Sequence, residues 1–207
     1  MANSNENNSK SNKRTLILVL LVFALPSAAA LLMYISGWRP ATTQNHGELI
    51  QPVRAISDRV MQAIEGKSVK FFDAHGKWTM VYFDTSSCPE ECMKQLYFMR
   101  QIHNSQGKNL DRIQRIFIAS DADGFATLKG KLADYPGMHV WSTSQIELIK
   151  LKQEFGLIDI SGSQPERNIY LLDPQGNLMM RYMPGVEPAG MRKDLERLLK
   201  YSADNPA

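Results

Sequence analysis

The chain has 207 residues and a formal net charge of +3, from 24 Lys and Arg against 21 Asp and Glu. Its cations are interleaved with acids, Arg112 and Arg115 with Asp111, and Arg192, Lys193 and Arg197 with Asp194 and Glu196. That is the pattern of solvated faces rather than of a basic patch, so nucleic-acid binding is excluded as a function class.

Residues 1–14 are polar, rich in Asn and Ser, and close on Lys10, Lys13 and Arg14. They read as a cytoplasmic N-terminus. Thr15 to Ser36 follows as 22 residues without a charge. At about 1.5 Å per residue this crosses a hydrocarbon core of about 30 Å, and 15–37 is taken as a single transmembrane anchor. Pro26 interrupts the run, which membrane helices tolerate, and Trp38 stands where an interfacial aromatic would stand. Three cations precede the span and only Arg39 follows closely, so the N-terminus stays inside. Ser27-Ala28-Ala29-Ala30 offers small residues to a signal protease, the competing reading. Against it, the apolar run continues through Leu31 to Ile35, beyond a signal's short h-region. A bacterial inner-membrane protein with a periplasmic domain follows.

The rest suits one soluble domain with no internal repeat. Residues 38–66 are read as a linker that packs onto the domain, with Leu49 to Val53 as a short extended piece. Val69 to Phe72 is a strand candidate, and Trp78 to Phe83 is a stronger one, apolar throughout as a buried central strand should be. The only two cysteines, Cys88 and Cys92, come directly after it. Met93 to Ile102 then repeats apolar residues at Leu96, Met99 and Ile102, which is helical spacing. The two thiols are therefore expected at the start of a helix, sharing one face of its first turn at i and i+4. The helix N-terminus would lower a thiol pKa, leaving Cys88 the more exposed and more acidic of the two.

Ile113 to Ala119 is the next strand, Phe125 to Ala133 a helix, and Met138 to Trp141 a brief strand. Ser144 to Glu147 is a capping-box pattern. Leu148, Leu151 and Phe155 continue that helix until Gly156. Asn168–Leu172 and Leu178–Tyr182 flank Asp173-Pro174-Gln175-Gly176, a hairpin signal. Ala189 to Tyr201 closes the chain as a helix with Met191, Leu195, Leu198 and Leu199 on one face. Strands alternating with helices give an α/β domain over residues 67–203, a mixed sheet flanked by helices. A reactive pair at the carboxyl end of a central strand is where such sheets put their sites.

Two thiols four residues apart suit three chemistries. They can act as a redox dithiol, with Cys88 attacking and Cys92 resolving. They can grip a soft metal such as Cu(I) through two sulfurs. They can also form an inert structural disulfide, although so small a loop gives the least entropic stabilisation.

The element order, with a dithiol at a strand-to-helix junction and a late hairpin before the last helix, resembles the thioredoxin fold. The Cys88-Pro89-Glu90-Glu91-Cys92 spacing after Val81-Tyr82-Phe83 resembles the SCO/SenC family of membrane-anchored proteins that help assemble the copper centre of cytochrome c oxidase. Similar stretches are Ile116 to Asp121, Trp141 to Gly156 and Ile169 to Pro174. The resemblance implies a thioredoxin-like domain and Cys88 and Cys92 as copper ligands or redox cysteines. It implies copper as the cofactor, and as partner a respiratory oxidase subunit or another periplasmic thiol protein. General thiol–disulfide exchange and a non-catalytic scaffold are the alternatives. The sequence departs from the family in two places. Met93 stands where a proline usually follows the second cysteine. Ser163 to Arg167 contains no histidine where the family's third copper ligand would lie, and Pro165 falls near that place. In thioredoxin-like proteins a cis-proline faces the dithiol, a role the resemblance would offer Pro165. His139 and Met93 are the substitutes to consider. His46 and His75 read as linker and turn residues, and Met99, Met179 and Met180 as core. His103 lies about 16 Å along the helix from Cys92, too far to join.

Overall fold

The computed structural model describes residues 5–37, 45–158 and 167–202 and falls into two compact units, 1–44 and 45–207. Among the described residues, the first unit holds one helix, α1 (Asn5–Ile35), with Pro26 inside it. Its stretch Lys13–Ile35 is 23 residues long and apolar enough to cross a membrane. Proline brings no N–H to the helix ladder. At the next residue, the Ser27 hydroxyl donates to the Phe23 carbonyl at 3.4 Å. Trp38 and Arg39, read as flanking the span, lie outside the described residues.

The second unit is built on an eight-stranded sheet. Its strands are β1 (Glu48–Ala55), β2 (Val60–Ala63), β3 (Ser68–Lys70), β4 (Trp78–Asp84), β5 (Ile113–Ala119), β6 (Met138–Ser142), β7 (Ile169–Leu172) and β8 (Asn177–Tyr182). The order across the sheet is β1-β8-β7-β4-β5-β6-β2-β3. Strands β4, β5 and β6 are parallel, and β7 lies antiparallel against the other side of β4. The helices are α2 (Glu90–Asn104), α3 (Phe125–Lys131), α4 (Gln145–Glu154) and α5 (Pro188–Tyr201). Taken together, β4-α2-β5 and β7-β8-α5 are the two halves of a thioredoxin-like core, as the sequence predicts.

Alternation along the central strands divides the interior. Trp78, Met80 and Tyr82 of β4 join Leu96, Met99 and Ile102 of α2, Leu128 of α3 and Met191, Leu195 and Leu199 of α5. Val81 and Phe83 turn the other way, to Leu148, Leu151 and Phe155 of the α4 region and to Phe71. Helix α4 starts where predicted, with the Ser144 hydroxyl accepting the Glu147 N–H. It ends on Gly156 at φ +70°, a conformation favourable to glycine.

The linker reading of 38–66 needs correction. Residues 48–55 and 60–63 are sheet strands, and the compact unit begins at Asn45. Strand β1 is an edge strand whose side chains are mostly exposed and do not alternate, and it carries Pro52. A period-2 signal had nothing to report there. What fixes the strand is pairing with β8, sealed by a bidentate ion pair from Arg181 to Glu48 at 2.9 Å in both arms. The 67–72 region is also corrected: β3 stops at Lys70, and Phe71–Ala74 is a 3-10 turn with Phe71 and Ala74 buried.

Two charges read as surface are interior. Asp194 is 3% exposed and accepts the backbone N–H groups of His46 (2.8 Å) and Gly47 (3.0 Å). Its other contacts are the His46 Nδ1 at 3.1 Å and the Tyr182 hydroxyl at 3.4 Å. Arg115 is 2% exposed on β5, and its Nη2 donates to the Pro136 carbonyl at 2.6 Å.

Candidate dithiol site

The site begins where the apolar run of β4 ends. The Asp84 carboxylate accepts the Thr85 N–H at 2.7 Å and the Tyr82 hydroxyl at 3.1 Å. Burial first, and then the neighbouring Asp84, push the Tyr82 phenol well above its ordinary value. Thr85 to Cys88 forms a tight turn, closed by the Cys88 N–H on the Thr85 carbonyl at 3.1 Å. Cys88 takes φ +39°, the one non-glycine positive φ among the described residues. Pro89 then stands as N-cap of α2 in extended conformation, and the Met93 N–H returns to its carbonyl at 3.0 Å.

Cys88 and Cys92 are joined as a disulfide, with their Cα atoms 5.1 Å apart. The expectation that both share the helix's first turn is half right. Cys92 is in that turn, whereas Cys88 precedes the N-cap. The cause is Pro89, which disfavours right-handed helical backbone in the residue before it. Nor is Cys88 the exposed member of the pair, since both cysteines are 0% exposed, packed in the cluster on the α2 face.

A second chain segment grips this turn from the carboxyl end of the parallel neighbour β5. The Ser120 N–H donates to the Asp84 carbonyl at 2.8 Å. Asp121 accepts the Ser86 N–H at 3.3 Å and the Ser86 hydroxyl through a short bond. That hydroxyl holds the Asp121 carboxyl below its ordinary value. The Gly124 N–H donates to the Ser86 Oγ at 2.8 Å, and a Cβ on Gly124 would sit 2.6 Å from the same oxygen. At the end of α3 the Lys131 ammonium donates to the carbonyls of Ser87 at 2.6 Å and Cys88 at 3.1 Å. Beside the disulfide loop a groove of about 280 Å³ opens between α2 and the segment leaving β8, lined by Glu91, Lys94, Phe98, Tyr182, Met183 and Val186 among others.

Ser86, Asp121, Gly124 and Lys131 escaped the sequence reading. Two adjacent parallel strands place their carboxyl ends together, so the polar run Ser120 to Gly124 was the available signal.

Of the candidate substitutes for a third copper ligand, the histidine is not brought to the disulfide. His139 lies opposite Ile116 on β6, with its ring 6.0 Å from Trp141. That is the α4 face of the sheet, away from the disulfide. His75 precedes β4, at the end of that strand far from the cysteines, and its ring stacks on Phe72 at 4.1 Å. His46 is engaged by Asp194, and His103 is in the last turn of α2. Met93 packs against the cluster that holds both cysteines. Among the described residues no group of three or more His, Cys, Asp or Glu could hold a metal ion. Pro165 and the Ser163–Glu166 stretch lie outside the described residues.

The family model described as "Transmembrane-like, thioredoxin-like, C-terminal domain" matches residues 78–202. Among solved structures, Bradyrhizobium japonicum ScoI with copper bound is 24% identical, with 69% of this chain and 98% of that one covered and a TM-score of 0.56. BsSco, described as a member of the Sco family of cytochrome c oxidase assembly proteins with a disulfide switch, is 18% identical at 73% and 96% coverage, TM-score 0.58. The thioredoxin domain of a Bacteroides vulgatus thiol-disulfide oxidoreductase is 14% identical at 70% and 94%, TM-score 0.54. At these identities the likeness is one of fold. No curated protein matches the chain.

Proposed function

The chain belongs to the transmembrane-like, thioredoxin-like C-terminal-domain family, and from that membership we propose an SCO-like, membrane-anchored factor for cytochrome c oxidase assembly. Its anchor is α1, in a bacterial inner membrane with the N-terminus cytoplasmic and the dithiol domain periplasmic. The observation that carries the proposal is the Cys88–Cys92 pair, closed as a disulfide at the carboxyl end of β4 and held there by Ser86, Asp121 and Lys131.

The chemistry is thiol–disulfide exchange with the copper-site cysteines of an oxidase subunit. In the reduced protein the Cys88 thiolate attacks one sulfur of the partner's disulfide. A Cys88–partner bond forms and one partner thiolate leaves. The Cys92 thiolate then attacks the Cys88 sulfur and expels the second partner thiolate. Two electrons pass to the partner, and the chain ends in the disulfide form described above. An external dithiol returns it to the reduced state.

Copper delivery is the second reading, with Cu(I) as cargo on the same two thiolates. The donor set favours exchange over storage, because to the two cysteine sulfurs the described residues add no histidine, His139 lying on the opposite face, and only a weaker thioether such as that of Met93. General dithiol exchange with other periplasmic proteins uses the same steps, and a scaffold with an inert bridge uses none.

The test mixes the reduced protein with an oxidised peptide carrying an oxidase subunit's copper-site cysteines. One protein disulfide should form per peptide reduced, with none from a Cys88→Ser variant. An untouched peptide would sink the exchange reading. Tight one-to-one Cu(I) binding that disappears in the double serine variant would put delivery in its place.

A further inference from the structure

Ser86 is a polar residue enclosed by the turn that carries it. It is 2% exposed and stands two residues before Cys88. Its hydroxyl is used twice, donating to the Asp121 carboxylate through a short bond and accepting the Gly124 N–H at 2.8 Å. Its backbone N–H also donates to Asp121, at 3.3 Å. A hydroxyl can donate and accept at once, and alanine in its place would strand both partners. Close by, the Ser120 N–H holds the Asp84 carbonyl at 2.8 Å. All of these bonds tie the cysteine turn to the segment after β5, and none of them involves a sulfur.

What they hold is unfavourable backbone. Cys88 at φ +39° lies in the left-handed region, which costs free energy for a residue with a Cβ and persists only where its surroundings impose it. While the bridge is closed, the bridge itself helps to impose it. Once the bridge opens, the clamp remains. We propose that Ser86 is a positioning residue for the exchange, keeping the Cys88 turn ready for closure while the two sulfurs are apart. The inference rests on reading the pair as a reactive dithiol. Its effect falls on the resolving step, in which Cys92 attacks the sulfur of a Cys88 already bonded to a partner. The Cys88–Cys92 bond forms, the Cys88–partner bond breaks, and the partner sulfur leaves as a thiolate. A held turn gives Cys92 a high effective concentration at that sulfur. A loose turn lets the mixed disulfide linger.

The test equilibrates the detergent-solubilised full-length protein with glutathione buffers and counts oxidised, reduced and singly glutathionylated forms by mass spectrometry. Two glutathione thiols pass two electrons and two protons to the bridge, leaving the protein dithiol and one oxidised glutathione. Ser86→Ala should make closure about tenfold less favourable, a potential about 30 mV higher, and enlarge the singly glutathionylated share. Asp121→Ala breaks the clamp from its other side and should do the same. Asp121→Asn removes the charge but keeps an oxygen for the Ser86 hydroxyl, and should shift closure less than either. Leu178→Ala, in the cluster on the opposite face, weakens the fold without touching the turn and should leave closure as it was. Circular dichroism melts report the stability of each variant. Unshifted closure in both Ser86→Ala and Asp121→Ala would overturn the proposal. So would an equal shift in Leu178→Ala, since lost stability would then explain it, or in Asp121→Asn, since charge would. A wild-type bridge that glutathione never opens would bring down the reactive reading and this proposal together. Shifted closure in a protein that leaves the oxidised peptide untouched would defeat the assembly proposal and leave Ser86 in its place.

Discussion

Arg115 carries a buried charge with little to answer it. Its Nη2 meets the Pro136 carbonyl, while Nε and Nη1 have no partner among the described residues. Burial and then the neighbouring Arg100 draw its proton affinity down. An unpaired interior charge costs several kcal/mol, and apolar replacements of similar volume are often stabilising. Arg115→Met should therefore raise unfolding stability by about 1–3 kcal/mol in urea titrations at unchanged m. A loss instead would mean that packing of the side-chain stem outweighs desolvation. His103 is linked to the same charge, its affinity lowered by burial first and by Arg115 second. A group that binds its proton more weakly folded than unfolded stabilises fully above its ordinary value of 6.5 and loses that contribution as pH falls below it. Unfolding stability should thus drop as pH falls below about 6.5, and the drop should shrink in Arg115→Met. An unchanged slope would argue against the linkage. None of this was legible from composition, where Arg115 beside Asp111 looked like a solvated pair. The side chain's direction is set by strand alternation, and Ile113, Phe117 and Ala119 on the same face gave that direction away.

At the scale of elements, the segments that could be read were those with a strong period or an unbroken apolar run. β4 and β5 are nearly all buried and α2 shows its stripe, so the strand–cysteine–helix junction was visible. β1 was legible only as the short extended piece at Leu49 to Val53, because an edge strand is specified by its neighbour rather than by its own pattern, and β2, four residues long, is too short to show a period. The clamp between the cysteine turn and the segment before α3 was hidden for a related reason. It joins polar residues 35 and more positions apart, with no periodicity to connect them. Gly124 is where that clamp has least room. A methyl there would press on the Ser86 Oγ at 2.6 Å and on Ser86 backbone at 3.0 Å. Gly124→Ala should cost about 1–3 kcal/mol, as overpacking does, seen as a lower melting temperature. The same variant should speed reduction of the disulfide by dithiothreitol. A melt like that of wild type would show that the two segments separate freely.

Taken whole, the molecule is an apolar helix and a thioredoxin-like domain whose single disulfide closes a very short loop. Loop-closure entropy makes such a bridge worth only about 2 kcal/mol, little beside a sheet with apolar clusters on both faces. The reduced domain should therefore stay folded, with its far-ultraviolet spectrum retained and its unfolding free energy lower by about 2 kcal/mol or less. Collapse on reduction would make the bridge structural. The central claim is that Cys88 and Cys92 cycle between dithiol and disulfide, and the direct test is their reduction potential, from equilibrium with glutathione buffers. A reversible two-electron couple above about −300 mV, the range of labile and catalytic disulfides, is what the account predicts. A potential below that, where structural bridges lie, would contradict it and leave the pair an inert staple.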